Sequence, residues 1–266
     1  MSCQLQQQAT PSSAAVLLNS VPNATYISPL AADTSGNLYF HESLDNNVMI
    51  LNGTTKSLST LAWKGGGDLK ALPDGNVLVL NRTSIYKYNI ASKQTSLWIT
   101  CPLLVNPMCF DFDYTNQCLY VADYGVFSAT QSNFFVAQIP YSNPSAAKIV
   151  LKTSSIRIPQ SIACLGNGQF CVVDQNSTII VIGNNNGFST ILATMPINNG
   201  TYNALQFDLT HNILYFIAGK NICQISNPSQ GLVSSPFTPM TTFATRYSTF
   251  DTPLIQTQQL TGLAVY

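Results

Sequence analysis

Along the 266 residues, short apolar runs alternate with clusters of Gly, Asn, Asp, Ser and Pro. Five stretches repeat one pattern: an apolar strand, a turn centred on Gly or Asn, then a second strand ending in aromatic or β-branched residues. They are LAADTSGNLYF (30–40), LKALPDGNVLV (69–79), FDFDYTNQCLYV (110–121), IACLGNGQFCV (162–172) and LQFDLTHNILYF (205–216). Their turn residues, Gly36, Gly75, Asn116, Gly168 and Asn212, stand 39, 41, 52 and 44 residues apart. A recurrence of forty to fifty residues signals repeated units of supersecondary structure. Asp-Gly-Asn and Ser-Gly-Asn supply the positive φ that an antiparallel reversal needs.

Each hairpin is followed by a third strand of alternating character: 48–51, 84–89, 134–139, 178–182 and 221–225. A more polar fourth strand follows in most repeats, as at 95–99 and 147–151. Four antiparallel strands per unit make one blade, so the pattern predicts an all-β propeller of five or six four-stranded blades. A propeller must hide its edges. Residues 260–266, which read as a first strand, and 14–18, which read as a last strand, are the expected closing pair. The whole of 1–266 then forms one domain, with 1–12 as a loose N-terminal tail. No stretch of ten or more residues has helical periodicity, and a β-sandwich does not predict five matching hairpins.

Charged residues make up 8 % of the chain, eleven basic against eleven acidic. A surface built mainly of Asn, Gln, Ser and Thr lacks the basic field that phosphate backbones require, which argues against a nucleic-acid partner. Such a surface suits packing into assemblies, and a virion or extracellular location is favoured over the cytoplasm. No signal peptide is visible at Met1–Gln8, and no run reaches the roughly 18 apolar residues of a membrane span. The seven cysteines match no zinc spacing and read mostly as small buried hydrophobes, although Cys101 and Cys109 could close a short loop under oxidising conditions. Five Asn-x-Ser/Thr sequons, at Asn23, Asn52, Asn81, Asn176 and Asn199, fall in or beside predicted turns and are possible glycosylation sites.

The motif Leu30-Ala-Ala-Asp-Thr-Ser-Gly-Asn-Leu-Tyr-Phe40 and its copies resemble NHL-repeat propellers and the related gluconolactonase-type superfamily across nearly the whole chain. That resemblance implies blade architecture and leaves function open, because propellers host hydrolases, lyases and interaction platforms alike. In the gluconolactonase branch a divalent metal in the central channel polarises the lactone carbonyl. By position, the family's metal-binding Glu falls at Ile27, its Asn at Met108 and its Asp near Gln160. Ile and Met offer no hard oxygen ligand, so neither metal nor cofactor is expected.

Other chemistry is sparse. His211 sits in a hairpin turn and His41 at a strand end, there is no Gly-x-Ser-x-Gly elbow, and Lys64-Gly-Gly-Gly-Asp68 lacks the ending of a phosphate loop. Tyr39, Phe40, Tyr120, Phe134, Tyr215 and Phe216 read as core, and Trp63 and Trp98 lie near the ends of outer strands. Asp68, Gln160 and Asn203 stand just before innermost strands, where side chains rim the channel, and are the candidate binding residues. The favoured reading is a non-catalytic platform for proteins or glycans. The alternative is a lactonase- or esterase-like hydrolase with a rearranged channel site using Asp68, Asp111 or Asp113 with Gln160.

Overall fold

The computed structural model describes residues 27–226 except 34, 43–46, 56, 65–66, 127–132, 155, 175–177, 186–187, 197–204, 210–211 and 219–220. The expected tail, both closing strands, His211, Asn203 and the sequons at Asn23, Asn176 and Asn199 lie outside the described residues.

Among the described residues, nineteen strands form five antiparallel sheets, each arranged in chain order. Sheet 1 holds β1 Ile27–Ala32, β2 Leu38–Glu42, β3 Asn47–Leu51 and β4 Leu58–Lys64. Sheet 2 holds β5 Leu69–Ala71, β6 Asn76–Asn81, β7 Ser84–Asn89 and β8 Gln94–Thr100. Sheet 3 holds β9 Pro107–Asp113, β10 Cys118–Asp123, β11 Phe135–Pro140 and β12 Lys148–Lys152. Sheet 4 holds β13 Pro159–Gly166, β14 Gln169–Asp174, β15 Thr178–Asn185 and β16 Phe188–Pro196, and sheet 5 holds β17 Leu205–Asp208, β18 Ile213–Ala218 and β19 Asn221–Ser226. The one helical element among the described residues is a 3-10 turn at Pro144–Ala146. The first strands pack in succession, β1 on β5, β5 on β9, β9 on β13 and β13 on β17, which is a propeller-like arrangement.

Burial explains why second strands read as unbroken apolar runs. In β10, Leu119 and Val121 join Leu78, Leu80 and Phe110 between sheets 2 and 3. Its alternate residues Cys118, Tyr120 and Ala122 join Ile162, Phe170 and Val172 between sheets 3 and 4. Both faces are therefore covered, and each large side chain buried there stabilises the fold by about 1.5–3 kcal/mol. The outer strand β8 is different: Gln94 to Leu97 are all exposed.

The hairpins follow their turn residues closely. Gly36, Gly75, Gly168 and Asn212 take φ of 76°, 80°, 78° and 54°. In the third hairpin the left-handed residue is Gln117, φ 50°, instead of the expected Asn116. The reason lies in Asp113, whose Oδ1 accepts the Thr115 and Asn116 N–H groups while its Oδ2 accepts the Asn116 side-chain amide, holding Asn116 inside the turn. Asp33 builds the first hairpin in the same way, accepting from Ser35 N–H and Asn37 N–H. Burial works to raise the Asp33 pKa, but its hydrogen bonds from Asn37, Tyr39 and Ser35 outweigh that and lower it.

Candidate functional site

The side where each first strand begins we call the inlet face; it also carries the loops from second to third strands. The opposite side carries the first hairpins and is the hairpin face. Between them, along β5 and β9, lie the interacting charged groups Asp68, Lys70 and Asp111. Lys70 Nζ is 2.6 Å from Asp111 Oδ1, and both side chains are largely shielded from solvent. Burial works against the Lys70 charge, yet the adjacent Asp111 carboxylate outweighs it and raises the ammonium's pKa. Asp68, at the inlet end of β5, is partly exposed. Its pKa is pushed up to about 7, first by burial and then by the Asp111 charge, against hydrogen bonds from Phe110 and Leu69 and the Lys70 charge.

All three carboxylates proposed from the sequence are tied to main chain of the next sheet. Phe110 N–H donates to Asp68 Oδ2 at 2.8 Å, Cys164 N–H to Asp111 Oδ2 at 2.7 Å, and Gly168 N–H to Asp113 Oδ2 at 3.0 Å. In the same direction, Leu205 N–H donates to Ser161 Oγ at 2.9 Å. A hydrogen bond to a charged acceptor contributes about 1.5–3 kcal/mol. Sheets 2 to 5 are thus joined by a one-way series in which the earlier sheet accepts and the later sheet donates.

The structure brings Asp68, Lys70 and Asp111 together. Asp113 sits at the hairpin end of β9, away from them. Gln160 is the second residue of β13 instead of preceding it, and is partly exposed. Met108, where the family's metal-binding Asn would fall, is 41 % exposed, and no cluster of three His, Cys, Asp or Glu suited to a metal occurs among the described residues.

Two further aspartates escaped the sequence reading. Asp123 is wholly buried and accepts N–H from Val105 at 2.7 Å, Asn106 at 2.9 Å and Gly125 at 2.7 Å. Asp174 accepts from Arg157 N–H at 3.1 Å and Ile158 N–H at 3.0 Å. Both end a second strand and fasten the segment leading into the same sheet. Their signal in the sequence is the matched ending of Leu119-Tyr-Val-Ala-Asp123 and Phe170-Cys-Val-Val-Asp174.

The cysteine expectation is corrected for one pair: Cys101 and Cys109 are separate, buried free thiols, as are Cys118, Cys164 and Cys171. Burial pushes the Cys109, Cys164 and Cys171 thiols up, so they are not nucleophiles. Tyr39, Phe40, Tyr120 and Phe134 are core, and Tyr215 is half-buried. Trp98 is half-buried, its ring 5.3 Å from that of Tyr141. Lys87 Nζ lies 4.0 Å from the Tyr141 ring centre, and the Tyr141 hydroxyl donates to Asp74 Oδ2 at 2.7 Å, which links sheets 2 and 3. Asn52 and Asn81 are half-buried; Asn52 Oδ1 caps its own turn through Thr54 and Thr55 N–H.

No protein-family model and no curated protein matches this chain. Solved structures do. The crystal structure of a nidogen/laminin complex aligns with a TM-score of 0.62 at 13 % identity, covering 90 % of this chain and 84 % of the other. XC5397 from Xanthomonas campestris, a gluconolactonase, aligns with a TM-score of 0.60 at 12 % identity, covering 77 % and 73 %. U3-55K aligns at 0.52 and 14 % identity, covering 80 % and 66 %. These likenesses support a β-propeller-like fold for this chain, and at such identities they carry the fold alone.

Proposed function

We propose that the chain is a single-domain propeller of five or six blades, closed by its N- and C-terminal strands, that serves as a non-catalytic platform for a protein or glycan partner in a virion or extracellular assembly. The observation that carries this reading is the use of its carboxylates: Asp68, Asp111 and Asp113 each accept main-chain N–H groups from the neighbouring sheet. Acid–base or ligand duty would compete with those bonds and loosen the junctions. Charged residues are only 8 % of the chain, and a surface drawn mainly from neutral polar groups fits a partner held by many contacts of modest strength. Glycans on Asn52 and Asn81 would fit an exported form.

The hydrolase reading is supported by one observation, the Lys70, Asp111 and Asp68 cluster with a carboxyl poised near neutrality. Purified full-length protein assayed against lactones and esters with added calcium or zinc, and in parallel against glycan arrays and cross-linked native extracts, separates the two. Saturable capture of a partner that rebinds in purified form, without turnover, is the expected result. Turnover that vanishes in Asp111→Asn would overturn it.

A further inference from the structure

Three aliphatic side chains stand out of the inlet face around sheet 3: Val126 at 65 % exposure, Val105 at 44 % and Met108 at 41 %. They are not carried on slack loops. Asp123 fixes the main chain at Val105, Asn106 and Gly125, and the Asn106 side-chain amide donates to Gly125 O at 2.7 Å. Gly125 has φ of 69°, and a Cβ there would meet Asn133 O at 2.6 Å, so the turn beside Val126 is closely packed. The Asn133 side chain donates to Val126 O at 3.1 Å. Apolar groups displayed on a pre-ordered support lose little entropy on binding, as anchor positions of interfaces require.

Among the described residues, the exposed charges of this face in sheets 2 to 4 are cationic. Arg82, Lys152 and Arg157 are exposed, and no ion pair among the described residues uses them. Hydrogen bonds connect their segments to the apolar trio. Cys101 N–H donates to Thr83 O beside Arg82, and Leu104 N–H to Cys101 O beside Val105; Thr153 N–H, next to Lys152, donates to Phe134 O. Arg157 N–H is held by Asp174. The described carboxylates of this face in sheets 2 to 4, Asp68, Asp123 and Asp174, are turned to main-chain N–H groups and leave the cations as the accessible charge.

We infer that the inlet face of sheets 2 to 4 docks an acidic protein segment bearing an aliphatic anchor, its carboxylates meeting Arg82, Lys152 and Arg157 and its anchor meeting Val105, Met108 and Val126. This rests on the platform reading and names its partner's chemistry. Three cations are too few to track a phosphate backbone. The carboxylates beneath the surface balance the formal charge, so attraction acts at contact range and salt weakens it modestly.

The test is fluorescence anisotropy of the full chain with a labelled peptide of about a dozen alternating Glu and Leu residues, against the same peptide with Lys for Glu, one with Ser for Leu, and oligothymidylate. Saturable binding of the Glu/Leu probe alone is expected, weakened at least about tenfold by Val126→Asp and by Arg157→Glu. Lys93→Glu, on the hairpin face, should leave it unchanged. Val105→Ser with Met108→Ser replaces Val126→Asp should the latter melt early. Equal binding of the Lys probe, preference for oligothymidylate, or wild-type affinity in the inlet variants overturns the inference. A native partner still held by those variants would sink this surface and leave the platform standing; no partner and no peptide binding would sink both.

Discussion

The inner strands of sheet 3 and the outer strand of sheet 2 use polar residues in opposite ways. β9 and β10 hold Asp111, Asp113 and Asp123, all buried, each accepting main-chain N–H groups. β8, Gln-Thr-Ser-Leu-Trp-Ile-Thr, has no charge at all and exposes its first four residues. Most proteins place charge outside, where water solvates it without cost. Here carboxylates are drawn inward to join sheets, and neutral amides and hydroxyls meet the solvent. Of the eleven acidic residues in the chain, seven accept main-chain N–H groups among the described residues, and of those seven only Asp74 is exposed.

The sharpest way to break this contrast is to remove an inner carboxylate. Asp123→Ala strands the N–H groups of Val105, Asn106 and Gly125, each costing about 1–3 kcal/mol where shielded, so urea unfolding should show a loss of roughly 3 kcal/mol. Next comes the ion pair. Lys70→Met leaves Asp111 charged and shielded, a loss of about 3 kcal/mol, and adding Asp111→Asn should recover part of it, because Asn still accepts from Cys164 N–H. A coupling of zero in that double-mutant cycle would remove the pair from the account.

Asp68 sharpens the comparison through pH. Its folded pKa of about 7 lies above the ordinary 3.8, so the native state holds more protons than the unfolded chain between those values. Its contribution is therefore fully present below about pH 4 and is lost as pH rises through 7. Unfolding free energies of wild type and Asp68→Asn measured from pH 4.5 to 8 should diverge in favour of the variant as pH rises; parallel curves would refute the shift. The smallest effect belongs to the exterior: Leu97→Ser on β8, a residue 56 % exposed, should change stability by less than about 0.5 kcal/mol.

The hairpins were legible because their information is local. Asp-Gly-Asn declares a turn within three residues, and β7, expected at 84–89, spans Ser84–Asn89. The inter-sheet bonds were not, because Asp68 finds Phe110 forty-two residues on and Asp113 finds Gly168 fifty-five on. Alternation actively misleads in Phe110-Asp-Phe-Asp113: period two assigns both aspartates to solvent, yet the next sheet covers that face too. Asp123 and Asp174 were hidden by the same logic, since nothing near them announces that a loop returns to claim them. Likewise, the spacing of Cys101 and Cys109 could not reveal that both thiols are packed into separate parts of the core.

The polarity of the sheet-to-sheet bonds has a meaning for synthesis. As the chain leaves the ribosome, sheets 2, 3 and 4 each present oxygen acceptors that water can solvate while they wait, and the sheet that follows brings the N–H donors that use them. A nascent chain paused after sheet 3 would leave Asp111 and Asp113 without their donors from Cys164 and Gly168, and assembly would run from N-terminus to C-terminus.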